Sequence, residues 1–299
     1  MQRCQIPEPL KPGDRLWVIM PSGALREGST FEQGIELWRS RGYQVDLHPD
    51  YNARWGYLAG TDEQRRAGLL QGLEDPSIKG ILCGRGGYGG ARLLEDFQWP
   101  DNCNKWLIGF SDITSLLWGL SKQGISGIHG PVLTTISDEP EWSLNRLWDW
   151  VEGKEIPDLQ GQGWNNGNAT GKLLPCNLTV GTHLLNTEVA PDLSDIILAI
   201  EDVGETPYRI DRMLTQWRMT GALSQVKGIA IGRFSQAESP SHIPSFTMEE
   251  VFRDRLSDLD IPIVTNLPFG HDGENAILPV GVDAILNSDT GTLSIHRPE

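Results

Sequence analysis

Trp106-Leu107-Ile108-Gly109-Phe110-Ser111-Asp112-Ile113-Thr114-Ser115-Leu116-Leu117 changes its hydrophobic period at a single serine. Up to Phe110 the run is continuously apolar, as in a strand covered on both faces. From Ile113 onward, Ile113, Leu116, Leu117 and Leu120 follow the spacing of one helix face. The change predicts a buried strand that turns straight into a helix at Ser111. The same alternation surrounds it. Short runs rich in Val, Ile and Leu that end near glycine or proline predict strands over Arg15 to Met20, Tyr43 to Leu47, Ile78 to Cys83, Trp106 to Phe110 and Ile125 to Ile128. Between them, Phe31 to Arg39 and Thr61 to Leu73 read as amphipathic helices, the second with Thr61 as N-cap. A βαβα order of this kind implies a mostly parallel α/β sheet with helices on both faces and ligands at the carboxyl ends of its strands.

From Asp138 to Gly171 the pattern weakens into Trp, Pro, Asn and Gly, with the stretch 161–168 as the clearest loop. The expected division is an N-terminal Rossmann-like or flavodoxin-like α/β domain over 1–137, a linker over 138–170 and a smaller α+β, β-rich domain over 171–299. In the last, strands are expected at Gly171 to Leu174, Ile196 to Ile200, Lys227 to Phe234 and Ile261 to Val264, with a hairpin around Asn287 to Gly291. One helix is expected near Thr206 to Met219.

The chain has 299 residues, enough for about two domains and a full core. With 25 Lys and Arg against 40 Asp and Glu, its net charge of -15 repels phosphate backbones and anionic lipid, so neither nucleic acid nor membrane is expected as a partner. No stretch reaches the roughly 18 apolar residues of a membrane span, and the N-terminus lacks an apolar signal region. Cys4, Cys83, Cys103 and Cys176 are scattered without a CxxC or His pairing, so no metal site is expected and a reducing, cytoplasmic setting is the simplest reading.

Three segments carry candidate chemistry. Gly84-Arg85-Gly86-Gly87-Tyr88-Gly89-Gly90 satisfies GxGxxG between a strand and a helix-like Ala91 to Glu95. It does not open the sheet, however, and no acid follows at the spacing of roughly 20 residues that a dinucleotide site requires. What survives is a loop whose bare N–H groups approach an anion or oxyanion closely, or an ordinary glycine turn. Ser111 sits in the geometry of a nucleophile elbow, with the Asp112 N–H at the positive end of the following helix. The sequence is not GxSxG, and Ser and Asp are also favoured helix caps. Finally, the apolar Ile196 to Ile200 runs into Glu201-Asp202-Val203-Gly204-Glu205, and of six histidines only His271 lies in a loop framed by glycine and proline. Spacing alone does not join these into a triad.

Together these residues resemble the LD-carboxypeptidase family of serine peptidases over nearly the whole chain. The resemblance rests on Leu10-Lys11-Pro12-Gly13-Asp14, Pro21-Ser22-Gly23, Arg85-Gly86-Gly87-Tyr88-Gly89, Gly109-Phe110-Ser111-Asp112 and His129-Gly130-Pro131. It continues through Glu201 to Glu205, Tyr208-Arg209-Ile210-Asp211-Arg212, Gly270-His271 and Pro279-Val280-Gly281. It implies Ser111 as nucleophile, His271 as general base and Glu201 as the acid that orients it. The N–H groups of Asp112 and of Gly87 or Gly86 would form the oxyanion hole, in a cleft between the domains. The implied substrate is a muropeptide cut between an L-centre of diaminopimelate and a terminal D-alanine, with no cofactor and a homodimeric assembly. Because that substrate carries carboxylates, the cleft is expected to be locally positive, with Arg85, Arg209 and Arg212 as candidate cations. Tyr88 and Asn177 complete the candidate substrate contacts. Pro175-Cys176 stands where the family is expected to have a glycine pair, which would reshape the cleft wall. Two rivals remain: a relative of the microcin C immunity peptidases, which cleave an amide in a peptidyl nucleotide, and a non-catalytic protein that binds an anion or nucleotide on the glycine loop.

Overall fold

The computed structural model describes residues 1–101, 103–164, 166–238 and 244–297. Two sheets organise it. The first has six strands in the order Leu278–Pro279, Ile128–His129, Trp106–Gly109, Ile78–Cys83, Arg15–Ile19 and Gln44–Leu47. All neighbours are parallel except Leu278–Pro279, which runs antiparallel to Ile128–His129. Both faces are covered, which is why Trp106–Gly109 is apolar and buried at every position. The strand order reverses beside Arg15–Ile19, so the exits of Arg15–Ile19 and Ile78–Cys83 flank a crevice of the kind that holds ligands in open α/β sheets. Helix Asp62–Glu74 starts at Thr61 with a full capping box to Gln64.

The second sheet has eight strands, in the order Leu159–Gln160, Thr292–Ile295, Asp283–Asn287, Asn168–Asn177, Ile196–Val203, Gly228–Ser235, Ile263–Thr265 and Gln162–Gly163. Its centre is parallel and its flanks antiparallel. The α/β class therefore holds, in two mixed sheets.

Several expectations need correction. The segment 138–170, expected as a linker, carries secondary structure of its own. It contains helix Glu141–Val151, whose Trp148, Trp150 and Val151 are buried, and two strands of the second sheet lie in what reads as loop. Asn165, in the same stretch, lies outside the described residues. Indole-rich helices hide their period because a tryptophan is both large and partly polar. The C-terminal half also has helices Leu178–Leu184 and Met248–Leu256 beside Pro207–Met219. The strand expected over Ile125 to Ile128 forms only at Ile128–His129, and the turn after the glycine loop is a 3-10 helix, Ala91–Leu94.

The two sheets share their core. Trp118, fully buried, packs with Leu174 and Cys176 and donates its indole N–H to the Pro175 carbonyl at 3.1 Å. An indole of this kind buries roughly 200 Å², or about 5 kcal/mol of transfer free energy. Pro175 and Cys176 are both buried, and burial pushes the Cys176 thiol well up. Among the described residues no helix is long and apolar enough to cross a membrane.

Candidate active site

Ser111 ends strand Trp106–Gly109 at its carboxyl edge with φ of +63°, a left-handed conformation that costs a non-glycine residue about 1–2 kcal/mol. The strain fixes the side chain above the sheet. Ser111 begins a 3-10 turn, Ser111–Ile113, that leads into helix Thr114–Lys122, and neither element takes a side-chain cap bond. Capping therefore does not explain the serine. Among the described residues its hydroxyl has no hydrogen-bond partner.

The glycine loop crosses directly over it. A Cβ built on Gly86 would stand 3.1 Å from Ser111 Cβ and 3.2 Å from its Oγ, so only glycine leaves the hydroxyl clear. Gly87 has φ of +116°, again a glycine conformation. The N–H groups of Gly87 and Asp112 donate to no acceptor among the described residues, which leaves them available to an oxyanion.

Asp112 holds this arrangement together. Its buried Oδ2 accepts from Ser22 Oγ at 2.6 Å and from the Gly90 N–H at 2.6 Å. One carboxylate thus ties the exits of three parallel strands. Arg65 adds a second tie: its buried guanidinium donates to the carbonyls of Pro21 and Gly89 and pairs with Asp62, while burial lowers its pKa.

The other half of the site comes from the second sheet. Glu201, fully buried, lies on strand Ile196–Val203, and its Oε2 accepts from His271 Nδ1 at 2.6 Å. That bond fixes the tautomer and leaves Nε2 as the acceptor. The imidazole packs on Phe110, the residue before Ser111, with ring centroids 4.5 Å apart. Burial acts to lower the His271 pKa, but the charge and hydrogen bond of Glu201, with Asp202 and Asp272, raise it above its ordinary value. The candidate base and acid are thus joined, and the imidazole stands on the residue that precedes the candidate nucleophile.

Asn177 turns its amide onto the acidic pair. Its buried amide donates to Glu201 Oε1 at 3.3 Å and Asp202 Oδ1 at 3.1 Å, and its Oδ1 caps helix Leu178–Leu184 through the Val180 N–H. Its own N–H donates to Thr114 Oγ1 at 3.0 Å, which links the acid's strand to the nucleophile's helix. Asp202 also accepts twice from Thr179, and burial beside Glu201 raises its pKa. Each expected cation has a partner within the protein. Arg85 lies over Gly23 and donates to the Ala24 carbonyl at 3.0 Å, Arg209 pairs with Glu205 at 3.2 Å, and Arg212 stacks on Tyr208 at 5.8 Å. Tyr88 is exposed beside the loop, edge-on to Tyr57 at 5.8 Å.

The roles of three further residues escape sequence reasoning. Glu139 accepts from the Asn275 N–H at 2.9 Å and from Ser143 Oγ at 2.8 Å, and Asn275 Oδ1 receives the Gly270 N–H at 3.1 Å, so the histidine loop hangs from the supposed linker. His129 is fully buried against Phe110, where burial and the nearby His271 push its pKa down to about 3, so it is neutral. No local signal marks Glu139 or Asn275, which act through tertiary contact, and His129 enters the sequence reading only within the His129-Gly130-Pro131 motif. His242 lies outside the described residues.

Comparison with known proteins fits this two-sheet arrangement. The LD-carboxypeptidase N-terminal domain model matches residues 17–130 and the C-terminal domain model residues 170–286. A carboxypeptidase-like protein of Synechocystis sp. is 59% identical over 289 residues, 96% of each chain. This chain belongs to the LD-carboxypeptidase family. The murein tetrapeptide carboxypeptidase of Pseudomonas aeruginosa is 31% identical over 92% of this chain and 94% of its own. Among solved structures, the muramoyltetrapeptide carboxypeptidase of Oxalobacter formigenes superposes with a TM-score of 0.84 at 30% identity, covering 94% of this chain and 97% of that one. The microcin C7 self-immunity protein, in complex with aspartyl sulfamoyl adenosine, gives a TM-score of 0.89 over 98% of this chain and 99% of its own, at 19% identity. That last likeness is one of fold.

Proposed function

We propose that this protein is a serine LD-carboxypeptidase that removes the terminal D-alanine from muropeptide tetrapeptides. The observation that carries the reading is the buried Glu201–His271 pair, 2.6 Å apart and packed on the residue that precedes a strained Ser111. A serine hydroxyl is a weak nucleophile until a histidine takes its proton. In the proposed first step Ser111 Oγ attacks the carbonyl of the diaminopimelate L-centre while His271 Nε2 accepts the proton. Glu201 stays ionised and stabilises the imidazolium. The developing oxyanion is held by the N–H groups of Asp112 and Gly87, and Gly86 keeps the approach open. The imidazolium then protonates the leaving amine of D-alanine. Water, deprotonated by His271, hydrolyses the acyl-enzyme in the same geometry and restores the serine. Such an activity belongs to the recycling of cell-wall peptides in the cytoplasm, a setting that the four free cysteines favour.

The anion-binding rival fits the loop less well. Its Gly90 N–H is already taken by the Asp112 carboxylate, which places a negative charge where a phosphate would have to sit. The microcin-type reading is supported by fold likeness alone. The test is release of D-alanine from a diaminopimelate-containing tetrapeptide in the presence of a chelator. Wild type is expected to turn over and Ser111→Ala to lose at least a thousandfold in kcat. A folded wild type that releases no D-alanine, or turnover abolished by the chelator, would overturn the reading.

A further inference from the structure

The loop that carries His271 is held from two sides. The second sheet provides one hold: the Arg233 N–H donates to the Phe269 carbonyl at 2.8 Å, and His271 Nδ1 bonds to Glu201 at 2.6 Å. These bonds fix the imidazole relative to its acid. They leave open its position over Ser111 and the glycine loop, which stand at strand ends of the first sheet.

The other hold comes from residues 133–139, a segment with no part in the proposed chemistry. At its start the N–H groups of Leu133 and Thr134 donate to the carbonyls of Cys83 and Gly84, both at 3.1 Å, where strand Ile78–Cys83 gives way to the glycine loop. A 3-10 turn, Ile136–Asp138, keeps the segment short. At its end the buried Glu139 accepts through one oxygen from Ser143 Oγ at 2.8 Å and from the Asn275 N–H at 2.9 Å. Asn275 passes the contact on, since its Oδ1 accepts the N–H of Gly270, the residue before His271, at 3.1 Å. Hydrogen bonds thus run from the glycine loop to the histidine loop through one segment. Asn275 is fully enclosed, and among the described residues its Nδ2 has no hydrogen-bond partner, a costly burial for an amide that serves through its oxygen. The chain joins the first sheet only later, at Leu278–Pro279, so the bond to Glu139 precedes that strand pairing.

We infer that Glu139 is a positioning residue: through Asn275 it sets where the His271 imidazole stands relative to Ser111 and the oxyanion donors, while Glu201 sets its tautomer. The inference rests on the proposed function for the identity of the base. Reacting groups must meet within about 3–3.5 Å, so a displacement of about 1 Å in this loop costs rate more than affinity.

The test measures D-alanine release from a diaminopimelate-containing tetrapeptide by wild type, Asn275→Ala, Glu139→Ala, Glu139→Gln and the double alanine variant. Values of kcat are expressed per Ser111 titrated to completion with a fluorophosphonate, so that unfolded protein is not counted. Asn275→Ala and Glu139→Ala are each expected to lose tenfold or more in kcat, with KM within twofold of wild type. Glu139→Gln keeps an acceptor oxygen and should recover at least threefold of that loss. The double variant should lie within twofold of the less active single one, because both changes cut one path. In Asn275→Ala carrying isotope-labelled histidine, the downfield Nδ1 proton of His271 should persist in the NMR spectrum, since its bond to Glu201 is left intact. Wild-type kcat in either single variant, losses that multiply in the double one, or a Nδ1 proton that disappears together with activity would each overturn the positioning role alone, the last because the loop has then come apart instead of shifting. A folded wild type that neither takes the fluorophosphonate nor releases D-alanine overturns the proposed function, and this assignment with it.

Discussion

His271 Nδ1 lies 2.6 Å from Oε2 of a fully buried Glu201, although 70 residues separate them in the chain. The other oxygen of that carboxylate is held by Asn177, so Glu201 has one orientation and the imidazole one tautomer. The pair sets the pH behaviour of the site. Glu201 holds the His271 pKa above its ordinary value against the opposing effect of burial. With the neutral imidazole as the proposed base, the acid limb of kcat/KM should fall above pH 6.5, the unperturbed histidine value of about 6.5 being the reference. In Glu201→Gln the limb should move to lower pH while kcat falls by at least a hundredfold. The sign for stability is opposite. A raised folded pKa contributes stability below the unfolded value, and this is lost as pH rises through the folded one. Denaturation midpoints across pH 5 to 9 in wild type and Glu201→Gln check this.

Strain at Ser111 gives a second expectation. With φ at +63°, the position favours glycine, so Ser111→Gly should be inactive yet more stable than Ser111→Ala by about 1 kcal/mol. Chemical denaturation of the two variants measures the difference. Equal stability would mean that the elbow is unstrained.

Gly86 is decided by space. A methyl at this position meets Ser111 Cβ at 3.1 Å and Oγ at 3.2 Å, contacts tight enough to displace the hydroxyl. Gly86→Ala should lower kcat tenfold or more while the protein still folds. Steady-state kinetics beside a melting curve separate the two effects.

Asp112 is expected to matter for stability as much as for rate. Asp112→Ala leaves Ser22 Oγ and the Gly90 N–H without their buried acceptor, which should cost roughly 2–3 kcal/mol and lower kcat through the loosened glycine loop. Urea unfolding and kinetics on the same preparation check both.

How much of this was legible in the sequence follows from how far each signal reaches. Ser111 and the strand before it were readable because the hydrophobic period changes within a few residues. The Thr61 cap was readable because a capping box is local. Helix Glu141–Val151 was hidden by its tryptophans. The triad residues were named only through a family resemblance, because no spacing rule connects a strand exit at Glu201 to a loop at His271. The amide of Asn177 closes onto Glu201 and Asp202, a relation that only the parallel register of Asn177 with Glu201 creates. The partners of Arg85 and Arg209, the Ala24 carbonyl and Glu205, are likewise set by tertiary structure that the sequence does not reveal.

The central claim is that Ser111 is a nucleophile activated by His271 and Glu201, and labelling with a serine-directed fluorophosphonate followed by peptide mass mapping tests it most directly. The account predicts one adduct, on Ser111, absent in Ser111→Ala and formed at least a hundredfold more slowly in His271→Ala. A folded wild type that takes no label at Ser111, or that labels as fast without His271, would contradict it.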